Sequence, residues 1–119
     1  VHFQSDKPIY LQIIDLVMEK ILTEEWAVGE KIPSVRDLAS GIEVNPNTVM
    51  RSYDKLQQDG IIFNKRGLGF FVSEEAKTLI LHEKRTAFLE VEAPKFFQNA
   101  KLLNISIDEL VERYKSNEL

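Results

Sequence analysis

Apolar residues recur every three or four positions near the start of the chain. Tyr10, Ile13, Ile14, Val17 and Ile21 share one stripe of a helix drawn from Pro8 to Glu25. Ser5 or Asp6 is placed to cap it, and Pro8 suits its first turn. Trp26, Val28 and Gly29 end the helix. Lys31-Ile32-Pro33 follows as a short extended piece, because the residue before a proline avoids the α region.

Ser34 then caps a short helix whose apolar positions Val35, Leu38, Ala39 and Ile42 keep helical spacing. About three residues later Asn45 caps another, with Pro46 at its first position. Val49, Tyr53 and Leu56 form its buried stripe down to Gly60. Two short helices joined by a tight turn predict a helix-turn-helix. After Gly60 the period becomes that of strands: Ile61 to Lys65, a glycine-bearing turn from Arg66 to Gly69, then Phe70-Phe71-Val72. A hairpin in that position is a wing.

From Ser73, taken as a cap with Glu74 and Glu75 in the first turn, the chain reads as helix through Leu103. Pro94 should kink or split it, since proline removes a backbone donor and clashes with the preceding turn. Asn104 can take the left-handed conformation, and Ser106 with Glu109 forms a capping box for a last helix ending near Tyr114. The expected fold class is mainly α with a small β-hairpin wing (α+β). A winged helix-turn-helix domain spans residues 7–73, and a two-helix segment spans residues 74–119.

With 44% hydrophobic and 29% charged residues in 119, the chain has enough apolar material for one small globular unit with an appendage. It contains no cysteine, which excludes disulfides and thiolate metal sites. No apolar run is long enough to span a bilayer. The opening Val-His-Phe-Gln-Ser-Asp-Lys-Pro is neither a charged leader nor an apolar signal core, so a soluble cytoplasmic protein with a trimmed start is expected.

The net charge of −4 argues at first against a polyanionic partner. Its distribution changes that picture. From Asn45 to Val72, Arg51, Lys55, Lys65 and Arg66 stand against Asp54 and Asp59, four cations less two acids, a local +2. A locally positive strip is sufficient for docking on phosphates.

Drawn at 100° per residue, the third helix turns Asn47, Arg51 and Gln58 away from Val49, Tyr53 and Leu56, with Thr48 and Lys55 at the flanks. Amide, hydroxyl and guanidinium tips are the groups that read base edges. The N-terminal part of such a helix enters the major groove, which puts Asn45, Asn47, Thr48 and Arg51 nearest the bases. A polar solvated face is the plain alternative, and the short preceding helix, tight turn and wing decide against it. Arg36, beside the cap Ser34, is positioned to hold a phosphate together with the helix N-terminus. At the wing tip, Lys65 and Arg66 supply charge while Gly67 and Gly69 let the backbone turn tightly and approach a phosphate or the minor groove.

Several blocks occur in order at the right spacing: Pro33-Ser34-Val35-Arg36-Asp37-Leu38-Ala39, Val44-Asn45-Pro46-Asn47-Thr48-Val49, Tyr53, Leu56, Gly60-Ile61-Ile62, and Arg66-Gly67-Leu68-Gly69-Phe70-Phe71-Val72. From Lys7 to Val72 the chain thereby resembles the GntR family of bacterial transcription regulators, and its short helical tail resembles the YtrA-like branch. The resemblance implies a homodimeric repressor on an inverted-repeat operator in double-stranded DNA. Arg36, Asn45, Asn47, Thr48 and Arg51 would be helix contacts, and Gly67 to Gly69 the wing contact. Glu43 stands where many members carry glycine, which implies a strained or slightly altered turn, at a cost of about 1 kcal/mol if the left-handed conformation is kept. Met50 stands where many carry a second arginine, which implies a different operator sequence.

In the tail, Phe88, Leu89, Val91, Ala93, Phe96, Phe97, Ala100 and Leu103 are too apolar for a helix wetted on most sides. Packing on the N-terminal domain accounts for part, and a second copy covering Phe88, Leu89, Phe96, Phe97, Ala100 and Leu103 for the rest, giving a two-fold interface and two recognition helices about one DNA turn apart. Purely intrachain packing is the alternative. A small-molecule effector is left open, since two helices per chain supply a pocket only at a subunit interface. No cofactor or metal is expected. His2 and His82 have no second histidine at ligand spacing, and the acids are scattered, so an enzyme is not expected. The rival reading, a winged helix used for protein contact, would place an apolar or acidic patch where Asn47, Thr48, Arg51 and Lys55 stand.

Overall fold

The computed structural model describes residues 6–117, so Ser5 and His2 lie outside the described residues. Chain contacts divide the molecule into two compact units, one running to Leu81 and one beginning at His82.

In the first unit, α1 (Ile9–Leu22) buries Ile13, Ile14, Val17, Met18 and Ile21. Pro8 stands at its N-cap, so the cap expected from Asp6 is not made. The helix stops at Leu22, short of the expected Glu25, because Glu24 enters the left-handed region at φ 64° and reverses the chain. Helices α2 (Val35–Ile42) and α3 (Pro46–Gln58) follow as expected. Ser34 Oγ accepts from Asp37 N–H at 3.0 Å, and Asn45 Oδ1 accepts from Asn47 N–H at 2.8 Å. Each cap satisfies a donor that the first helical turn leaves without a partner. Between the helices Glu43 lies at φ 57° and ψ 51°, so of the two expected outcomes the turn keeps the left-handed conformation without a glycine.

Strands β1 (Ile62–Lys65) and β2 (Gly69–Val72) pair antiparallel, with Phe63 opposite Phe71 and Lys65 opposite Gly69. The extended piece before α2 joins them. Ile32 N–H donates to the Phe70 carbonyl at 2.9 Å and Val72 N–H to the Glu30 carbonyl at 3.1 Å. Thus β2 is bonded along both edges, and the wing is fastened to the chain that enters the helix-turn-helix.

Helix α4 (Ala76–Ala87) begins three residues beyond Ser73. Ser73 is buried, and its carbonyl accepts from Ala76 N–H, so residues 74–75 form a turn instead of the expected first helical turn. Ala76 and Ile80 complete the core of the first unit. In the second unit, where a kink or a split was expected at Pro94, the backbone stays helical on both sides of the proline and one turn is widened. A π turn spans Phe88–Glu92, α5 runs Ala93–Leu102 with Pro94 in its first turn, and α6 spans Ile107–Ser116. A proline has no N–H for the preceding turn, and a wider π turn is one way a helix accommodates the loss. Asn104 takes φ 58° between the two helices. Ser106 Oγ accepts from Glu109 N–H at 3.2 Å, while the Glu109 carboxylate pairs with Arg113 Nε, so half of the expected capping box is occupied differently.

The first unit is organised around Tyr53, which is fully buried. Its hydroxyl donates to the Pro33 carbonyl at 2.7 Å, and its ring meets Phe70 edge to face at 5.1 Å. One side chain of α3 therefore ties the entry to α2 and the wing together. Burial pushes its phenol well above the ordinary tyrosine range. The unfolded chain ionises near pH 10, whereas the folded chain resists ionisation. The contribution to stability is therefore complete below about pH 10 and is lost as pH rises beyond it. Tyr53→Phe should remove this alkaline slope. At neutral pH it should cost about 1–2 kcal/mol through the Pro33 carbonyl left without its partner, as read by urea unfolding at pH 7 and pH 10.5.

Candidate nucleic-acid interface

Helix α3 has two faces of opposite character. Val49, Ser52, Tyr53 and Leu56 are buried, which fixes the helix rotation. Asn47, Met50, Arg51, Lys55 and Gln58 are exposed and Thr48 is half-buried. The first two turns therefore offer an amide, a hydroxyl, a thioether and a guanidinium to solvent along one edge. Met50, at 43% exposure, puts an apolar tip beside the polar ones. Asp54, one of the two acids in this strip, is exposed on the same face one turn further along.

Arg51 is held in place. Its Cζ lies 3.7 Å from the centroid of the Tyr10 ring in α1. The neighbouring Ser52 Oγ donates to the Tyr10 carbonyl at 2.7 Å, with the Thr48 carbonyl 3.2 Å away. This link between α1 and α3 could not be found from helical spacing, because the partners are 42 positions apart in the Ser52 bond.

Lys55 is less available than expected. It forms an ion pair with Asp59 one turn on, at 3.1 Å, so part of its charge is compensated. Arg36 is exposed on the first turn of α2, and Ser34 and Asn45 are exposed although their side-chain oxygens are engaged as caps.

At the wing, the turn is closed by Leu68 N–H donating to the Lys65 carbonyl at 2.9 Å. Gly67 takes φ 80° with open space around it, and Gly69 takes φ 112°. Lys65 Nζ lies 4.8 Å from the Phe71 ring centroid, over a stacked Phe63–Phe71 pair. A residue outside the expected set also arrives here. Lys31 bridges to Phe71 across β2, and its Cε would lie 3.0 Å from a Cβ at position 69. Glycine at 69 thus leaves room for a lysine that crosses the wing. The signal for Lys31 was the extended Lys31-Ile32-Pro33 piece, whose strand partner is nonlocal.

In the second unit the expected tail residues divide. Phe88, Leu89, Phe96, Phe97 and Leu103 are exposed, and Phe96 and Phe97 pack edge to face at 5.7 Å. Ala100 is not part of that surface: at 7% exposure it is buried by the chain itself, as is Ala93 on the same face of α5. The exposed apolar surface extends instead to α6, through Ile107, Val111 and Tyr114. An open groove of about 1130 Å³ lies within this unit, lined by Phe88, Phe96, Phe97, Ile107, Leu110, Val111 and Tyr114 among others.

A short helix, a three-residue turn, a recognition helix with a polar outer edge, and a hairpin with cations at its tip define a winged helix-turn-helix DNA-binding protein. Residues 9–72 match the model of the family described as bacterial regulatory proteins, gntR family, and the chain belongs to that family. Its members are DNA-binding transcriptional regulators rather than enzymes.

The chain is 37% identical to the uncharacterized HTH-type transcriptional regulator YhcF of Bacillus subtilis, over 96% of this chain and 93% of that protein. It is 45% identical to the HTH-type transcriptional repressor YtrA of the same organism, over 73% of this chain and 67% of that protein. A crystal structure of a GntR family regulator from Bacteroides thetaiotaomicron superposes with a TM-score of 0.78 at 44% identity. That match covers 91% of this chain and 94% of the other. Among the described residues no helix is long and apolar enough to cross a membrane.

Proposed function

We propose that this regulator is a repressor that binds an inverted-repeat operator as a homodimer. Residues 7–73 would carry DNA reading and residues 74–119 pairing. The observation that carries this reading is the division of α3. A helix anchored by fully buried Val49, Tyr53 and Leu56 can press only its other edge into a groove, and that edge holds Asn47, Thr48 and Arg51. Asn to adenine and Arg to guanine are the pairings those tips favour in the major groove, and Met50 offers an apolar contact for a thymine methyl. Asn45, Ser34 and Arg36 sit where helix N-termini meet phosphates. Lys65, Arg66, Gly67 and Gly69 form the wing contact, joined by Lys31. Lys55 would act as a peripheral phosphate contact.

The paired state is supported by the uncovered aromatic surface of the second unit. Phe88, Phe96, Phe97, Ile107, Val111 and Tyr114 are exposed apolar side chains lining one groove, with Leu89 and Leu103 exposed as well, and grouped exposed apolar residues mark association surfaces. A repressing role is supported by the name of the YtrA relative.

Selection of bound sequences from a random duplex pool tests the reading. The expected product is an inverted repeat whose half-site centres are about 10 base pairs, or a multiple of that, apart. A single unrepeated half-site would contradict pairing, and no enrichment would contradict sequence reading. On the selected duplex, Arg51→Ala should weaken binding by about 1–3 kcal/mol while affinity for random duplex changes little. Equal loss on both would make Arg51 a phosphate contact.

A further inference from the structure

We propose that Tyr10 is a positioning residue for DNA reading: its ring sets the place of the Arg51 guanidinium, so that base preference at one operator position depends on a residue of α1 that touches no base. This rests on the reading in which Arg51 meets a base edge.

An arginine on a helix surface is a long, freely rotating side chain, and ordering it at the moment of binding weakens the gain from any hydrogen bond it makes. Here the ordering is built into the free protein. The guanidinium carbon lies 3.7 Å above the Tyr10 ring centroid, well inside the range of cation–π attraction. The five N–H donors of a guanidinium lie in its plane, so a ring covering one face leaves the donor fork at the edges available. No carboxylate among the described residues forms an ion pair with Arg51, so those donors are not already spent on an acid.

The platform is itself clamped. Ser52, fully buried and adjacent to Arg51, donates to the backbone carbonyl of Tyr10 at 2.7 Å. Tyr10 also packs against the core of the first unit. The ring and the guanidinium are therefore fixed to one another through the α1–α3 contact, and the phenol hydroxyl is not needed for the effect.

Binding is measured by fluorescence anisotropy on the selected operator and on its variants at each half-site position. The proteins are the full chain and its Arg51→Ala, Tyr10→Leu, Tyr10→Met, Tyr10→Phe and Tyr10→Leu/Arg51→Ala variants. Tyr10→Leu should reduce discrimination about threefold to tenfold at the one position whose preference Arg51→Ala erases, and leave the other positions unchanged. Tyr10→Phe should retain the preference. Tyr10→Leu should add nothing in the Arg51→Ala background, since a residue acting through Arg51 has nothing left to act on. Tyr10→Met, also lacking a ring, gives the same reading if the leucine variant does not fold. Uniform loss at all positions, or the same loss with and without Arg51, would make Tyr10 a packing residue only. If Arg51→Ala erases a preference that Tyr10→Leu and Tyr10→Met leave intact, the positioning role alone is overturned. If Arg51→Ala alters no preference, base reading by Arg51 is wrong and the positioning role falls with it.

Discussion

Phe97→Glu is expected to separate the proposed dimer into monomers and to lower operator affinity about a hundredfold or more. Phe97 is 46% exposed in the single chain and packs edge to face on Phe96 beside the apolar groove of the second unit. A carboxylate there stays solvated in a monomer but would have to give up water in a paired state, a large cost for an interface. The effect on DNA follows from linkage. Two half-site contacts on one dimer make the second intramolecular, a gain on the order of a hundredfold to ten-thousandfold that a monomer loses. Phe97→Leu, which keeps apolar volume, should leave both properties nearly intact. Sedimentation velocity and operator titration on the same samples check the two together. An intact dimer carrying glutamate at 97 would move the pairing surface elsewhere.

The second large effect is that of salt. Lys31, Arg36, Lys65 and Arg66 are exposed on the first unit, with Arg51 held on the α3 edge and Lys55 partly compensated by Asp59. If a dimer engages about six phosphates through these groups, counterion release predicts roughly a thousandfold loss of affinity between about 50 and 200 mM salt. The overall charge of −4 does not oppose this, because phosphate contacts are made by the local strip while the net charge governs longer-range steering. Removing Lys31 should shallow the slope by about one contact per chain while leaving base preferences unchanged. A flat salt profile would contradict the placement of the cations.

Local chemistry made much of the fold legible. Asn45, Pro46 and Gly60 bracket α3 because a cap, a fixed φ and a residue free to take φ 81° are each strong local signals. The wing showed itself through the change of period after Gly60, and the irregular turn near Pro94 through the missing donor. Glu43 was legible as a strained position only through the family resemblance, which puts glycine there; helical spacing by itself did not mark it.

What escaped was nonlocal or ambiguous. Glu24 ends α1 without glycine or proline, so the apolar pattern alone overextends the helix to Glu25. Glu74 and Glu75 look like a first helical turn, yet Ser73 is drawn into the core and the helix starts at Ala76. Lys31 reached the wing only through pairing with β2, and Tyr10 reached Arg51 only through helix packing. Ala100 carries the same apolar label as Phe97, but a small side chain at a buried face serves close packing within the chain rather than an exposed surface.

In the proposed mode of binding the exposed edge of α3 reads bases from the major groove. Replacing purines of the selected operator by their 7-deaza analogues, one at a time, removes the N7 acceptor that this groove presents and leaves the minor groove unaltered. Substitution at the positions read by Asn47 and Arg51 should weaken binding by about tenfold each, with Asn47→Ala and Arg51→Ala proteins insensitive to the corresponding change. Unchanged binding across every half-site purine would place α3 outside the groove and contradict the account.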